Sequence, residues 1–396
     1  MINHRIENHW RCLLLLLITA LSFPHISFSQ AYTAFSAGGP DRLGANGFSY
    51  NASGGIDPAG QTVPMSQMLI ANGSCGKNVI CSQFVGLGKQ DSFAYIVGFW
   101  NSTSYYPEGN ILPGQSTQFS QLTTGVGWGQ SGNYDVPGGA GDTYSNNFLQ
   151  IIGLGANDGM AYLAAFQDDG GTWHGGGKLP WIQDVPFAQL LVAVGNNQQL
   201  QVIGRAASDN RLYLTAFQDR EGNWNAEGLL PGQTPACSYI TTTNIGNGII
   251  VLGVGASDGY VYEPDWQDLN GNWHAAGVLP GQSTPLENIV IVGGLDSNGN
   301  GIVLVGGLGA SDHILHIVDW LDYAGTWHAY GPPLSASIPQ VPMTQVVSDG
   351  IDIYGISQVN NDLYLLFQNN VPGHDMTPNA GAALWLPAVL QVLSGM

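Results

Sequence analysis

The residues able to do chemistry recur in phase. Trp173, Trp224, Trp273 and Trp327 occupy one place in a repeated stretch, and three of them are followed directly by His174, His274 and His328. An indole face stacks on the apolar face of a sugar ring, while imidazoles, amides and carboxylates beside it hydrogen-bond the hydroxyls. Repeated along a chain, such a set gives multivalent binding. The competing reading is that a tryptophan at fixed phase is core. Large aromatics are more often core, and the pairing with histidine narrows that gap, since packing at a strand end does not require histidine.

The aspartates are equally periodic. Asp158, Asp209, Asp258 and Asp312 fall in one turn, and Asp168, Asp219, Asp268 and Asp322 in another. Aspartate bonds its own backbone in such turns, and that reading is preferred to a ring of calcium sites. The stretch Asp296-Ser-Asn-Gly-Asn-Gly301 resembles the start of a calcium loop but lacks the later acidic ligands. No Cys/His spacing suits zinc, so no metal or cofactor is expected.

Catalytic arrangements are sparse, and no catalytic residue is assigned. No serine or cysteine stands out as the nucleophile of a triad. An arginine cluster for a substrate carboxylate would have to come from Arg42, Arg205, Arg211 and Arg220. A glycosidase needs two carboxylates around a central tunnel. Glu263, beside Pro264 in mid-strand, is the carboxylate that breaks the repeat's pattern, and marks either such a site or an edge-strand bulge.

These residues are positioned by the repeat. A glycine following two mostly apolar residues recurs at Gly86, Gly153, Gly204, Gly253, Gly307 and Gly355, at intervals of 67, 51, 49, 54 and 48 residues. Nine residues later stands Tyr95, Tyr162, Tyr213, Tyr262, His316 or Tyr364. Thirteen later comes Phe99, Phe166, Phe217, Trp266 or Trp320, with Phe367 one residue early in the last unit. Twenty later comes Tyr106 or one of the four tryptophans. Leu-Pro pairs close the units at Leu112, Leu179, Leu230, Leu279 and Leu386, and Gly129 to Asn147 reads as a loop insertion.

Each unit reads as four short strands. Asp158-Gly159, Asp209-Asn210 and Asp258-Gly259 suit primed two-residue turns, and Asp168–Gly171 and its counterparts suit four-residue hairpin tips. A seventh unit is split between Tyr32–Phe35 with Asp57–Gln61 at one end and Ala388–Leu393 at the other. Four antiparallel strands per unit, closed across the termini, predict an all-β fold, a seven-bladed β-propeller, with six or eight blades as alternatives. Residues 30–396 form this single domain.

The N-terminus reads as a secretory leader. Arg5 and Arg11 precede an apolar run from Leu13 to Leu21, and Ser27-Phe28-Ser29 supplies small residues for cleavage, so residues 1–29 are removed. The whole chain carries 9 Lys and Arg against 28 Asp and Glu, a net charge of −19, and losing two arginines and one glutamate leaves the remainder one unit more negative. That sign repels phosphate backbones and anionic lipid, which excludes nucleic acid and membrane partners. With 9% charged residues and 56 glycines, the surface is mostly neutral and hydrogen-bonding. Cys75 and Cys81 flank a hairpin tip and can form a disulfide in a secreted protein, leaving Cys237 unpaired and buried. Asn51, Asn72 and Asn101 begin glycosylation sequons.

In the phase from glycine to tyrosine to tryptophan and in the LPGQ breaks, the chain resembles secreted lectin propellers of the tectonin-like and fucose-binding kind. The resemblance covers nearly all of residues 30–396 in layout and includes no diagnostic motif. It implies sugar pockets between blades, near Trp173/His174, Trp224, Trp273/His274 and Trp327/His328, with glycans or glycoconjugates as partners. A monomer or small homo-oligomer is expected. The alternatives are a secreted glycan hydrolase or lyase with one central site, and a protein-binding surface module.

Overall fold

The computed structural model describes residues 48–50, 56–58, 65–74, 80–100, 105–127, 148–168, 170–180, 185–195, 199–219, 222–232, 235–245, 248–295, 301–322, 324–330, 341–348, 353–359 and 363–367. The leader, Tyr32–Phe35, Arg42, Asn51, Cys75, Asn101, the insertion Gly129–Asn147, Arg220, Asp296–Asn300 and Leu386–Leu393 lie outside the described residues.

The described chain is all β. The first sheet runs β1 (Phe48–Tyr50), β2 (Ile56–Pro58), β3 (Met65–Ser74), β4 (Ile80–Gly88), β5 (Ala94–Trp100) and β6 (Tyr105–Ile111) in order. Next come β7 (Phe119–Gly127), β8 (Phe148–Gly155), β9 (Ala161–Gln167) and β10 (Trp173–Lys178). The third sheet holds β11 (Phe187–Val194), β12 (Leu200–Ala206), β13 (Leu212–Gln218) and β14 (Trp224–Ala226). The fourth holds β15 (Cys237–Ile245), β16 (Gly248–Gly255), β17 (Val261–Gln267) and β18 (Trp273–Ala275). The fifth holds β19 (Val290–Leu295), β20 (Gly301–Leu308), β21 (Leu315–Leu321) and β22 (Trp327–Ala329), and the sixth β23 (Met343–Ser348), β24 (Ile353–Ser357) and β25 (Leu363–Phe367).

Each sheet is an antiparallel meander, and the sheets are the blades of a β-propeller, numbered 1 to 6 in chain order with blade 1 built on β3–β6. The first strands are innermost: β7 lies against β3, β11 against β7, β15 against β11, and β23 against β19. Asp57 and Pro58, expected in the split seventh unit, lie in β2, which hairpins with β1 and pairs through Ile56 with Met65 of β3.

Both faces of a blade are buried, so its strands read as apolar throughout. β16 is buried along its whole length and β13 at all but one residue. The apolar clusters straddle seams between blades: Leu163 and Leu179 of blade 2 pack with Leu190 and Val202 of blade 3, and Leu252 and Val261 of blade 4 with Ile291 and Val305 of blade 5. The repeat's glycine follows from this packing. A Cβ at Gly153 or Gly204 would collide with Phe119 or Phe187 at the head of the same blade's innermost strand.

Glutamines tie the innermost strands together. Gln67 accepts the Leu122 N–H at 2.8 Å and donates to its carbonyl at 2.9 Å. Gln121 does the same to Leu190, and Gln189 to Ile240, each on the next blade. A second set joins blades at the other sheet end, with Gln150 donating to Gln218 at 2.6 Å and Gln201 to Gln267 at 2.7 Å. Buried amides pair because an unpaired one is costly.

The turn holding Asp158 is longer than the two residues expected. Gly155 N–H bonds the Met160 carbonyl around a four-residue loop, and only its last residue, Gly159, is left-handed at φ 65°. A type I′ turn would need two such residues in succession, and a type II′ turn one at its first central position. The aspartates do hold the turns. Asp158 accepts from Met160 N–H and the Tyr162 hydroxyl, and Asp258 from Tyr260 N–H and the Tyr262 hydroxyl. The four-residue tips at Asp168, Asp219, Asp268 and Asp322 form as expected, each closed by a left-handed glycine.

Candidate binding sites in the seams between blades

The four tryptophans begin the outermost strands, and each is half-buried against the preceding blade. Trp173 packs on the blade 1–2 cluster, Trp224 on the 2–3 cluster, Trp273 on the 3–4 cluster and Trp327 on the 4–5 cluster. The histidine one residue later points to the opposite face, as alternation along a strand requires. His174 stacks on Phe166, His274 on Trp266 at 4.4 Å and His328 on Trp320 at 4.3 Å, and those aromatics pack towards the following blade. A tryptophan and the histidine beside it therefore serve different seams. What meets in the 4–5 seam is Trp327 from one side and Trp266 with His274 from the other.

The histidines also pack, contrary to the expectation that a strand end has no structural use for them. Each clips its hairpin tip: His174 Nε2 lies 2.8 Å from Asp168, His274 3.0 Å from Asp268 and His328 2.8 Å from Asp322. Asn225 plays the same part for Asp219 at 3.1 Å in blade 3. These bonds hold the Asp268 and Asp322 carboxyls below the usual carboxylate range.

In two units the strand register differs from the phase expected of the repeat. Tyr105 stands opposite Trp100, as Trp173 stands opposite Gln167, so Tyr106 takes the histidine's place and stacks on Phe99 at 5.0 Å. Four residues join Trp100 to Tyr105 where five join Gln167 to Trp173, and this shorter connection in blade 1 hides the one-residue shift. Phe367 pairs with Ile353 as Asp265 does with Val251, which makes it the counterpart of Asp265 and not of Trp266.

Glu263 is not a tunnel carboxylate. β17 is the third strand out from the axis, and the side chain crosses the 4–5 seam to accept the Trp327 indole N–H at 2.5 Å. The same position holds Ile96, Leu163, Leu214 and Ile317 in other blades. Glu263 is 8% exposed, and burial pushes its pKa up to about 7 against the opposing bond from Trp327. Where the seam offers leucine, as against Trp224 and Trp273, the indole N–H is buried without a partner.

A β-bulge in β17 turns Asp265 to the opposite face from Glu263. It is fully buried, with its pKa pushed up to about 7, and accepts the Gly232 N–H from the Leu-Pro-Gly break of blade 3 at 2.6 Å. Asp319 of blade 5 holds the next break, taking Gly281 N–H at 2.6 Å and the Gln282 amide at 2.5 Å, and burial raises its pKa too. The breaks are thus clasps between neighbouring blades. Among the described residues no group of three His, Cys, Asp or Glu could hold a metal. Cys237 is free and buried; Cys81 is buried as well.

No family model matches the chain. No curated protein is similar to it in sequence either. Among solved structures it is similar to AofleA from Arthrobotrys oligospora, at 14% identity over 77% of this chain and 87% of that one, with a TM-score of 0.43. It is similar to the SapL1 lectin solved with alpha methyl fucoside, at 16% identity over 77% and 96%, TM-score 0.41. It is also similar to the GH93 alpha-L-arabinofuranosidase of Fusarium graminearum solved with arabinobiose, at 12% identity over 70% and 84%, TM-score 0.38.

Proposed function

We propose that the protein is a secreted, non-catalytic carbohydrate-binding propeller that takes neutral sugars in the seams between its blades. The observation that carries this reading is the 4–5 seam. There a half-exposed indole, Trp327, has a carboxylate fixed at its edge, and the Trp266/His274 stack stands on the other wall. One Glu263 oxygen is taken by the indole, leaving the other to accept from a hydroxyl, while the indole face supplies stacking. Trp173, Trp224 and Trp273 offer the same platform against apolar walls, which makes their seams weaker sites in a multivalent set. A largely neutral, hydrogen-bonding surface suits polyhydroxylated partners.

A glycan array followed by calorimetry with the best monosaccharide tests this. Trp327→Phe and Glu263→Gln are each expected to weaken binding at least about ten-fold, with competition by the free sugar. Silence across a broad array of neutral glycans would sink the reading.

A further inference from the structure

The seam between blades 3 and 4 departs from the others at two facing positions. Where other blades carry Leu87, Leu154, Val254 or Leu308, blade 3 has Arg205. Where other blades begin their innermost strand with Met65, Phe119, Phe187 or Met343, blade 4 has the smaller Cys237. The matching leucines face the following blade, and the Cys237 thiol feels the charge of Arg205 across the seam.

Only one end of the guanidinium is engaged. Nη1 donates to Asn210 Oδ1 in the neighbouring turn, while Nε is buried and has no hydrogen-bond partner. Among the described residues no carboxylate pairs with Arg205, and the one ionisable group that bears on it is the thiol of Cys237. Arg211 beside it differs, being exposed and 3.6 Å from Asp209. Arg205 is half-buried, and a guanidinium taken partly out of water without a counter-charge is costly where other blades place leucine or valine. The unused edge, Nε with Nη2, presents two parallel N–H groups, the geometry that takes a carboxylate or sulfate side-on.

We propose that the Nε–Nη2 edge of Arg205 binds a single carboxylate or sulfate group of a small ligand in the seam between blades 3 and 4. The net charge of −19 repels polyanions, so the ligand carries one charge. Arg205 lies at the sheet end that holds the Asp209 turn, whereas Trp273 lies at the other end beside the Asp268 tip. The site is therefore separate from the tryptophan platforms, and it stands whether or not those bind neutral sugars.

The test is calorimetric titration of the protein at low salt with methyl β-glucuronide, methyl β-glucoside and sodium sulfate. The glucuronide, the sulfate or both bind with one-to-one stoichiometry, and the glucoside does not displace them. Binding of sulfate alone identifies an inorganic anion as the source; binding of the glucuronide identifies a sugar acid. Arg205→Leu, which restores the repeat's own residue, abolishes this binding without lowering Tm. Arg205→Lys, which keeps the charge and loses the fork, weakens it at least about ten-fold and decides the matter if the leucine variant does not fold. Equal binding of glucuronide and glucoside, no binding of either anion, or full anion affinity in Arg205→Lys overturns the proposal. Loss of neutral-sugar binding in Trp327→Phe bears on the sugar reading and leaves this one untouched.

Discussion

Trp327 of blade 5 donates its indole N–H to Glu263 of blade 4 at 2.5 Å, so two residues 64 positions apart close one seam of the ring. Trp224 and Trp273 make the same approach to leucine-lined seams and leave their N–H groups unpaired. The glutamate's burial is thus not required by the fold.

Glu263→Leu tests that directly. The variant copies blades 2 and 3 and removes a buried carboxylate, at the expense of one more unpaired indole N–H. At pH 8 its unfolding free energy is expected to stay level or rise by about 1–2 kcal/mol, because the lost anion outweighs the lost bond. On the carbohydrate-binding reading proposed above, sugar affinity in that seam falls at the same time. Denaturant unfolding read beside calorimetry separates the two, and a loss of more than about 2 kcal/mol would show that the bond holds the seam closed.

The three seam carboxylates set a pH dependence. Glu263 and Asp265 have folded pKa values near 7, and Asp319 is also raised, all by burial. Between their unfolded values near 4 and these folded values the native state holds protons that the unfolded chain has released. For Glu263 and Asp265 this stability is therefore fully present below about pH 4 and is lost as pH rises through 7, and the raised Asp319 acts in the same sense. Asp268 and Asp322, whose pKa values are lowered, act oppositely, their contribution being present above the unfolded carboxylate pKa and lost as pH falls below it. Unfolding free energy is expected to decline by a few kcal/mol from pH 5 to pH 8, since a proton held across one pH unit corresponds to about 1.4 kcal/mol. Asp265→Asn flattens the decline. A profile that is level or rises over that interval contradicts the assignment.

The tip clip is tested by copying one blade into another. His274 stacks on Trp266 and bonds Asp268, whereas Asn225 makes the equivalent bond to Asp219. His274→Asn keeps the bond and loses the stack, which is worth about 0.5–1.5 kcal/mol. His274→Ala loses both. A graded fall in Tm, wild type above asparagine above alanine, is expected in a thermal melt, and an alanine variant as stable as wild type would show the clip to be idle.

The blade architecture is legible in the sequence because four strands of fixed phase leave a periodic trace of glycine, tyrosine, tryptophan and Leu-Pro. The division of Trp173 from His174 is equally legible, since neighbours on a strand face opposite ways, yet their adjacency in the sequence suggests one pocket. The glutamine ties are not legible, because Gln67, Gln121 and Gln189 look like ordinary polar residues until the next blade's backbone is set against them. Glu263 stands out as a departure from the repeat, but its partner lies one blade away, and no local pattern points from position 263 to position 327. Arg205 and Cys237 carry the same kind of signal, a paired departure in one seam, readable by comparing each repeat position across blades.

Two glycines in blade 3 separate the clasp from the surface. Gly232 donates its N–H to Asp265, and a Cβ there would run into the Pro264 carbonyl of the next blade. Gly228, four residues earlier, has nothing within 4 Å of where its Cβ would stand. Gly232→Ala must push the break off blade 4, stranding the fully buried Asp265 carboxylate without its N–H, and is expected to cost more than about 3 kcal/mol or prevent folding. Gly228→Ala changes stability by no more than about 0.5 kcal/mol. Chemical denaturation of the two variants decides it. Equal stability would mean that the Leu-Pro-Gly break merely reverses the chain and does not fasten one blade to the next.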